Sequence, residues 1–348
     1  RVMDTVYDRA LGETIRQARQ VPVMINYSVG KKRYEKAPDN EDLILIKSIE
    51  EKDFPINYPT NRMPEGSESR RNDDIGLTHV HHFYTKRNIY ITSCYLKLIL
   101  MIKDHNIRSQ LFGILNTINN YINKKQSFNG GGGGISGTLY VPSLVMEKNV
   151  MAVINRKVYS LVFINLRKYN ECLISTHSST TYRYIENSYI DYIFIDPPFG
   201  GNLMYSELNF LWEAWLGVFT NNQEEAIISK EQRKTLREYQ GLMEDGFREF
   251  YRLLKPGHWI TVEFHNSQNA VWNAIQEAIL HAGFMLADVS MLNKQQGTFK
   301  QITSAGAVKQ DLVISAYKPT EAFTSQFQVD GGTAQGAWEF VRQHLEQL

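Results

Sequence analysis

The chain has 348 residues, 43% of them hydrophobic and 22% charged, with a formal net charge of +1. That length buries a sizeable core as one large domain or two modest ones, and the composition is that of a soluble globular protein. The near-zero charge excludes a global field for nucleic acid, so a polyanion has to be held by local patches.

The two cysteines, Cys94 and Cys172, exclude a disulfide framework and a four-cysteine zinc site, and they suit a reducing compartment. No segment reaches the roughly 18 uncharged apolar residues of a membrane span. The most apolar run, IYITSCYLKLILMI (89–102), contains a lysine and reads as a buried helix. With no signal peptide read, a cytoplasmic location and no membrane partner are expected. The opening at Arg1 and the helix-like close EFVRQHLEQL lead us to expect a fragment of a longer polypeptide.

In chain order, residues 1–20 carry apolar positions at helical spacing, and PVMINYS reads as a strand. Residues 31–78 are polar, with prolines at 38, 55, 59 and 64, and read as a long ordered loop. From 85 to 125 the pattern predicts two helices broken near DHN (104–106). Five glycines follow at 130–134; the plain reading is a mobile surface loop, the sharper one a loop that orders against phosphate or DNA beside Lys124 and Lys125. No strand leads into them and no GK[ST] follows, so they make a poor phosphate-binding motif.

Beyond the glycines a regular alternation begins. VYSLVFIN is a helix or strand, ECLIST (171–176) and YIFI (192–195) are strands, and SELNFLWEAWLGVF (206–219) is a helix with Ser206 at its N-cap. GLMEDGFREFYRLL (241–254) is a helix stopped by KPG, HWITVEF (258–264) a strand, and AVWNAIQEAILHAG (270–283) a helix ended by glycine. FMLADVSML (284–292) and DLVISAY (311–317) are strands. The alternation predicts an α/β, Rossmann-like fold with a mostly parallel, doubly wound sheet. The expected division is a mainly helical N-terminal region, 1–130, with a possible DNA-contacting role. A catalytic domain, 131–320, and a C-terminal linker and helix, 321–348, follow it.

Ligands of such sheets sit beyond the carboxyl ends of the strands, where Asp196 follows YIFI. In DPPF, two prolines stiffen the turn, a carboxylate and a carbonyl make an acceptor pair for an –NH₂ group, and an aromatic ring offers a stacking surface. This is a receptor for an exocyclic amine on a planar ring, which suits a base removed from its stack.

DPPF resembles the [DNS]-P-P-[YFW] motif of S-adenosylmethionine-dependent DNA amino-methyltransferases, which act on adenine N6 or cytosine N4. THSSTTYRYIENSYIDYIFIDPPFG resembles the stretch leading into that motif, and RLLKPGHWITVEF the helix–KPG–strand after it. HVHHFYTKRNIY (79–90), SGTLYVPS (136–143) and FKQITSAGAVKQDLVISAYKP (299–319) are similar to one branch of large bacterial DNA methylases, often encoded beside restriction or defence genes. The family's F-x-G-x-G cofactor loop is not found; in the resembling branch it lies upstream, often followed by a cysteine-rich zinc-binding insert that is not found either.

The resemblance implies a catalytic set of Asp196, Pro197, Pro198 and Phe199. Asp196 and the Pro197 carbonyl hold the amine and Phe199 stacks on the base. Gly200 and Gly201 allow close approach, and Asn202 and Tyr205 form a polar wall. It also implies S-adenosylmethionine as cofactor, DNA as substrate and other restriction or defence subunits as partners. Ser178 and Ser179 fall where such folds contact the cofactor's adenosine, or they cap a turn. Asp at the first motif position favours adenine N6 over cytosine N4 and ranks protein glutamine last.

Arg70, Arg71, Lys86, Arg87, Lys124, Lys125, Lys300 and Lys309 are candidate DNA contacts, each with a solvated charged face as its plain alternative. His79, His81 and His82 have no acid or cysteine at a matching spacing, so no metal is expected there. The aromatic series FLWEAW and VWNAI reads as core. The rival from another class is a non-catalytic DNA-binding subunit: the missing glycine motif favours it and DPPF opposes it.

Overall fold

Gly12 turns the chain back at a φ of +70°, a conformation that glycine adopts without strain. The segment read as helical is therefore a hairpin, β1 (Met3–Asp8) paired with β2 (Glu13–Ala18). Thr5, Val6, Thr14 and Ile15 supply its strand preference, and Asp8 holds the turn by accepting from the Ala10 and Leu11 backbone N–H groups at 2.9 and 3.3 Å. The computed structural model describes residues 2–52, 57–128, 136–159, 172–292, 311–330 and 332–347. They fall into two compact units: Arg1–Asn170 with Tyr205–Thr220, and Glu171–Met204 with Asn221–Leu348.

In the first unit a second hairpin, β3 (Ile25–Val29) with β4 (Lys32–Lys36), leads to α1 (Asn40–Glu51). The stretch read as a long loop thus holds a strand and a helix, the helix opened by a reciprocal capping box between Asp39 and Asp42. A short α2 (Ser67–Arg70) follows, then α3 (Lys86–Met101) and α4 (His105–Ile122), separated where expected, and α5 (Val150–Tyr159). Thr85 and Asp104 cap α3 and α4 through side-chain bonds to Asn88 and Ile107 N–H.

Ile114, Leu115, Ile118 and Ile122 line one face of α4 at helical spacing and close the core with Phe83, Ile89, Val150 and Val153. The helix after DPPF, α6 (Tyr205–Leu216), belongs to this unit and adds Leu211 and Trp215. Its Trp215 Nε1 donates to the Tyr84 hydroxyl at 3.1 Å, and that hydroxyl donates to Asn119. Burial pushes the Tyr84 phenol up, so the proton needed for this chain of bonds is retained.

The second unit is built on a four-stranded sheet in the order β5–β6–β8–β7: β5 (Ile190–Ile195), β6 (Leu254–Phe264), β7 (Met285–Leu292) and β8 (Asp311–Tyr317). β5 and β6 pair in parallel, whereas β8 lies antiparallel between β6 and β7. The sheet is therefore mixed, and the doubly wound, mostly parallel sheet expected from the alternation is not formed by the described residues. The cause is non-local: β8 pairs with β7, the strand before it in sequence, and the two run antiparallel. β5, β6 and β7 nevertheless point the same way, which puts their carboxyl ends on one edge.

Helices α7 (Leu236–Leu253) and α8 (Asn269–His281) cover one face of this sheet. Tyr239, Phe247, Ile275 and Ile279 meet Ile260, Val262, Phe264 and Ile314 there in a closed apolar cluster. On the other face, His344 of the terminal helix lies 5.9 Å from the Tyr317 ring, centroid to centroid. That helix, α10 (Ala334–Gln347), follows α9 (Glu321–Asp330). Residues 172–178, including most of the expected strand ECLIST, form no regular element, while VYSLVFIN and the five glycines lie outside the described residues apart from Val158 and Tyr159 at the end of α5. No helix among the described residues is long and apolar enough to cross a membrane.

Candidate active site

DPPF leaves the carboxyl end of β5, which lies at one side of the described sheet, and its backbone is fixed from two sides. Asp196 is exposed and Pro197 buried. The Tyr239 hydroxyl on α7 donates to the Pro198 carbonyl at 2.6 Å, and the Asn266 Nδ2 just past β6 donates to the Phe199 carbonyl at 3.0 Å. Burial raises the Tyr239 phenol well above its ordinary range, so it stays protonated as a donor. The Pro197 carbonyl accepts no hydrogen bond among the described residues. The turn therefore spends the Pro198 and Phe199 carbonyls on the scaffold and leaves that of Pro197, the residue after Asp196, unspent.

Glycine is required directly after the motif. Gly200 sits at φ +67°, and a Cβ there would stand 3.3 Å from Asn266 Nδ2, Ile228 Cδ1 and Val271 Cγ1. A Cβ at Gly201 would lie 2.9 Å from the Ile228 carbonyl oxygen. The Phe199 ring is half-buried and meets Phe264 edge-on at 5.4 Å, with the His265 ring at 6.2 Å. His265 Nδ1 is held at 2.7 Å by the buried carboxylate of Asp311, the first residue of β8. Asn202 Nδ2 reaches the His265 carbonyl at 3.4 Å.

Parallel β5 and β6 thus bring Asp196 and the His265–Asn266 pair to one edge, and Asp311 joins them because Leu292 and Asp311 pair there. Sequence reasoning named Asp196 to Phe199, Gly200 and Asn202 but missed Tyr239, His265, Asn266 and Asp311. The strand-end rule that drew attention to Asp196, applied to HWITVEF, would have found the HN immediately after it.

The other candidates are placed as follows. Ser178 caps a turn, its hydroxyl 2.8 Å from that of Thr180, while Ser179 is exposed. Tyr205 is the exposed first residue of α6, in the first unit. Arg70 is committed to the Met63 and Pro64 carbonyls and to Asp73, and Arg71 to Glu68 and Thr138. Lys86 donates to the Glu50 carbonyl, and Arg87 pairs with Glu147 and Glu50.

Lys124 and Lys125 are not surface cations: both are buried, Lys125 over the Trp212 ring at 5.4 Å, and burial pulls each ammonium down to about 8. Lys300 and Lys309 lie outside the described residues. Leu211 and Trp215 of FLWEAW, and Val271 and Ile275 of VWNAI, are core as expected.

The histidines do meet an acid, one too distant in sequence for spacing to reveal. Asp8 Oδ2 lies 2.8 Å from His81 Nε2 and 2.7 Å from His82 Nε2. His82 Nδ1 accepts the backbone N–H groups of Thr78 and His79 at 3.2 and 3.3 Å, so its proton is on Nε2 and is donated to Asp8. A ring in that tautomer has no lone pair on Nε2 for a metal. The trio is a hydrogen-bonded clamp between the β1–β2 turn and the 3-10 turn Val80–Phe83.

A mixed α/β sheet with DPPF at a strand end defines the class of protein with which the chain is to be compared. Residues 190–346 match the family model N6_N4_Mtase, described as DNA methylase, so the resemblance carried by DPPF stands for that part of the chain. Among solved structures, a candidate DNA modification methylase from Thermus thermophilus is 13% identical, with 39% of this chain and 47% of that chain covered and a TM-score of 0.23. The [4+2]-cyclase SpnF is 12% identical over 51% and 65% of the two chains, with a TM-score of 0.25. At such TM-scores neither likeness carries an argument about fold or function. The chain spans about half the length of the Thermus protein. No curated protein matches the chain significantly.

Proposed function

We propose that the chain belongs to a DNA amino-methyltransferase that takes its methyl group from S-adenosylmethionine and acts on adenine N6 rather than cytosine N4. The observation that carries this reading is the exposed Asp196 in a DPPF turn whose Pro198 and Phe199 carbonyls are tied inward, within residues that match a DNA methylase family.

The amine of adenine is a weak nucleophile because its lone pair is delocalised into the ring. Asp196 and the Pro197 carbonyl accept its two N–H groups, which favours a pyramidal nitrogen with its lone pair directed away from them. This is positioning and electrostatics, with no covalent intermediate on the protein. Phe199, held against Phe264, presents a ring for the base to lie on, and Gly200 and Gly201 keep the backbone close. S-adenosylmethionine supplies an electrophilic methyl group when bound. Ser178, whose hydroxyl meets that of Thr180, and the exposed Ser179 are the candidate contacts to its adenosine, and no step is assigned to them.

The test is the product. DNA methylated by the protein expressed from its whole reading frame is digested to nucleosides and the methylated base identified. N6-methyladenine, absent with Asp196→Ala, is the expected result. N4-methylcytosine would overturn the base assignment, and no methylated base at all would leave a non-catalytic DNA-binding subunit.

A further inference from the structure

Six of the eight cations that the sequence offers as DNA contacts are bonded within the protein or buried, which raises the question of which cations remain for a polyanion. A dense group among the described residues lies on the β3–β4 hairpin. Residues 25–36 hold four cations, Lys31, Lys32, Arg33 and Lys36, against one acid, Glu35. Lys36, at the base, is held by Asp39 at 2.9 Å and Asp42 at 2.7 Å. Glu35 is occupied by Asn26 Nδ2 at 3.1 Å. The side chains of Lys31, Lys32 and Arg33 are exposed and make no hydrogen bond or ion pair among the described residues.

The register places these cations on every side of the tip. Val29 pairs with Lys32, Tyr27 with Tyr34 and Ser28 with Arg33. Side chains alternate across a strand, so Lys32 shares a face with the tyrosines, Arg33 points to the opposite face, and Lys31 sits in the two-residue turn with Gly30, whose φ is +60°. Nearly every residue of both strands is exposed, on both faces. A surface meant to lie flat on a partner would concentrate its charge on one face. A ribbon charged on both faces and at its end suits a groove with two anionic walls. The Tyr27 and Tyr34 rings stack across the strands, 5.6 Å apart and 25° from parallel, which stiffens the arm behind the cations.

We propose that the β3–β4 hairpin is a DNA arm: it inserts into the major groove of duplex DNA, with Lys31, Lys32 and Arg33 on the phosphates of its two walls. The groove, about 12 Å wide, admits a two-stranded β-ribbon. This inference rests on the reading of the chain as a DNA methyltransferase and names how it grips that substrate. The contacts are to phosphate, so they contribute affinity and orientation and no base preference.

The experiment compares the whole protein with K31A/K32A/R33A and with K31R/K32R, measuring binding to duplex and to single-stranded DNA of one sequence over a range of salt, with methyl transfer in parallel. Each phosphate contact contributes about 0.9 to the slope of log K against log salt. The expected result is a duplex slope lower by about 2 to 3 in the triple variant, a raised KM for DNA, and an unchanged slope in the arginine variant. An unaltered melting temperature confirms that the exposed tip was changed without unfolding the chain. A triple variant with the slope of the parent overturns the arm while methyl transfer by the parent leaves the proposed function intact. A loss confined to single-stranded DNA also overturns groove insertion. A parent that neither binds nor methylates DNA removes both.

Discussion

The Tyr239 hydroxyl donates to the Pro198 carbonyl at 2.6 Å and so ties helix α7 to the DPPF turn at the residue after Pro197. Tyr239 is fully buried, and its replacement by phenylalanine keeps the packing but removes the donor. Leaving the carbonyl unpaired costs about 1–3 kcal/mol. Tyr239→Phe is expected to lower the unfolding free energy by that amount and to reduce the turnover of methyl transfer more than the affinity for DNA, as steady-state kinetics with varied DNA would show.

Gly200→Ala adds a methyl group at a positive φ, into a space bounded at 3.3 Å by Asn266, Ile228 and Val271. Left-handed backbone alone costs a non-glycine residue roughly 1–2 kcal/mol. The displaced Asn266 amide would also weaken its bond to the Phe199 carbonyl. Urea denaturation is expected to show a loss of about 1–3 kcal/mol. Gly12→Ala also takes a positive φ, but its Cβ meets nothing within 4 Å, so it should cost the smaller, purely conformational part.

Glu207 occupies the space where a side chain at residue 66 would begin. A Cβ on Gly66 would stand 2.0 Å from its carboxyl carbon, and the carboxylate accepts the Ser69 N–H at 2.7 Å. Burial raises this carboxyl despite the Ser69 bond. Gly66→Ala has to expel it, and thermal melting should register a loss of about 2 kcal/mol or more. Glu207→Gln keeps an acceptor for Ser69 and should cost less.

The clamp of Asp8 with His81 and His82 sets a pH dependence. Burial, with the neighbouring His81 charge, lowers His82 to about 4 despite Asp8, and burial likewise lowers His81. The unfolded chain takes up a proton at each histidine near its ordinary value of 6.5, which the folded chain refuses. Stability is therefore fully present above about pH 6.5 and falls as the pH drops towards about 4. Asp8 opposes its own burial with the His82 and His81 bonds and lies at about 2, so its contribution disappears only between 3.8 and about 2. Melting temperatures from about pH 7.5 to about 4 should decline in the parent. In Asp8→Ala the melting temperature should already be lower at neutral pH, because the His82 Nε2–H then loses its buried acceptor.

Long amphipathic helices were the most legible part of this chain. α3, α4, α7 and α8 each present an apolar stripe that tertiary context does not overrule, and α6 lies where FLWEAW put it. Residues 1–20 misled because a few apolar residues spaced three or four apart also fit two short strands, and Gly12 was the signal that decides. The capping pair Asp39 and Asp42 announced α1 within a stretch read as loop. The sheet order was not legible, because placing β8 between β6 and β7 depends on pairings that no local pattern encodes. The same holds for the site: DPPF was readable as a motif, whereas Tyr239, 41 residues on from Pro198, and Asp8, 74 residues before His82, act through contacts that only folding creates.

The most direct test is the single-turnover rate of methyl transfer to duplex DNA by the protein and by Asp196→Ala, at protein concentrations where DNA binding is saturated and measured separately. Loss of the amine acceptor should lower the rate by at least about 100-fold with DNA affinity within about twofold of the parent, since in the proposed reaction the carboxylate acts on the flipped base and positioning of this kind carries that magnitude. An Asp196→Ala protein that transfers methyl groups at the parental rate would contradict the assignment of DPPF as the receptor of the target amine.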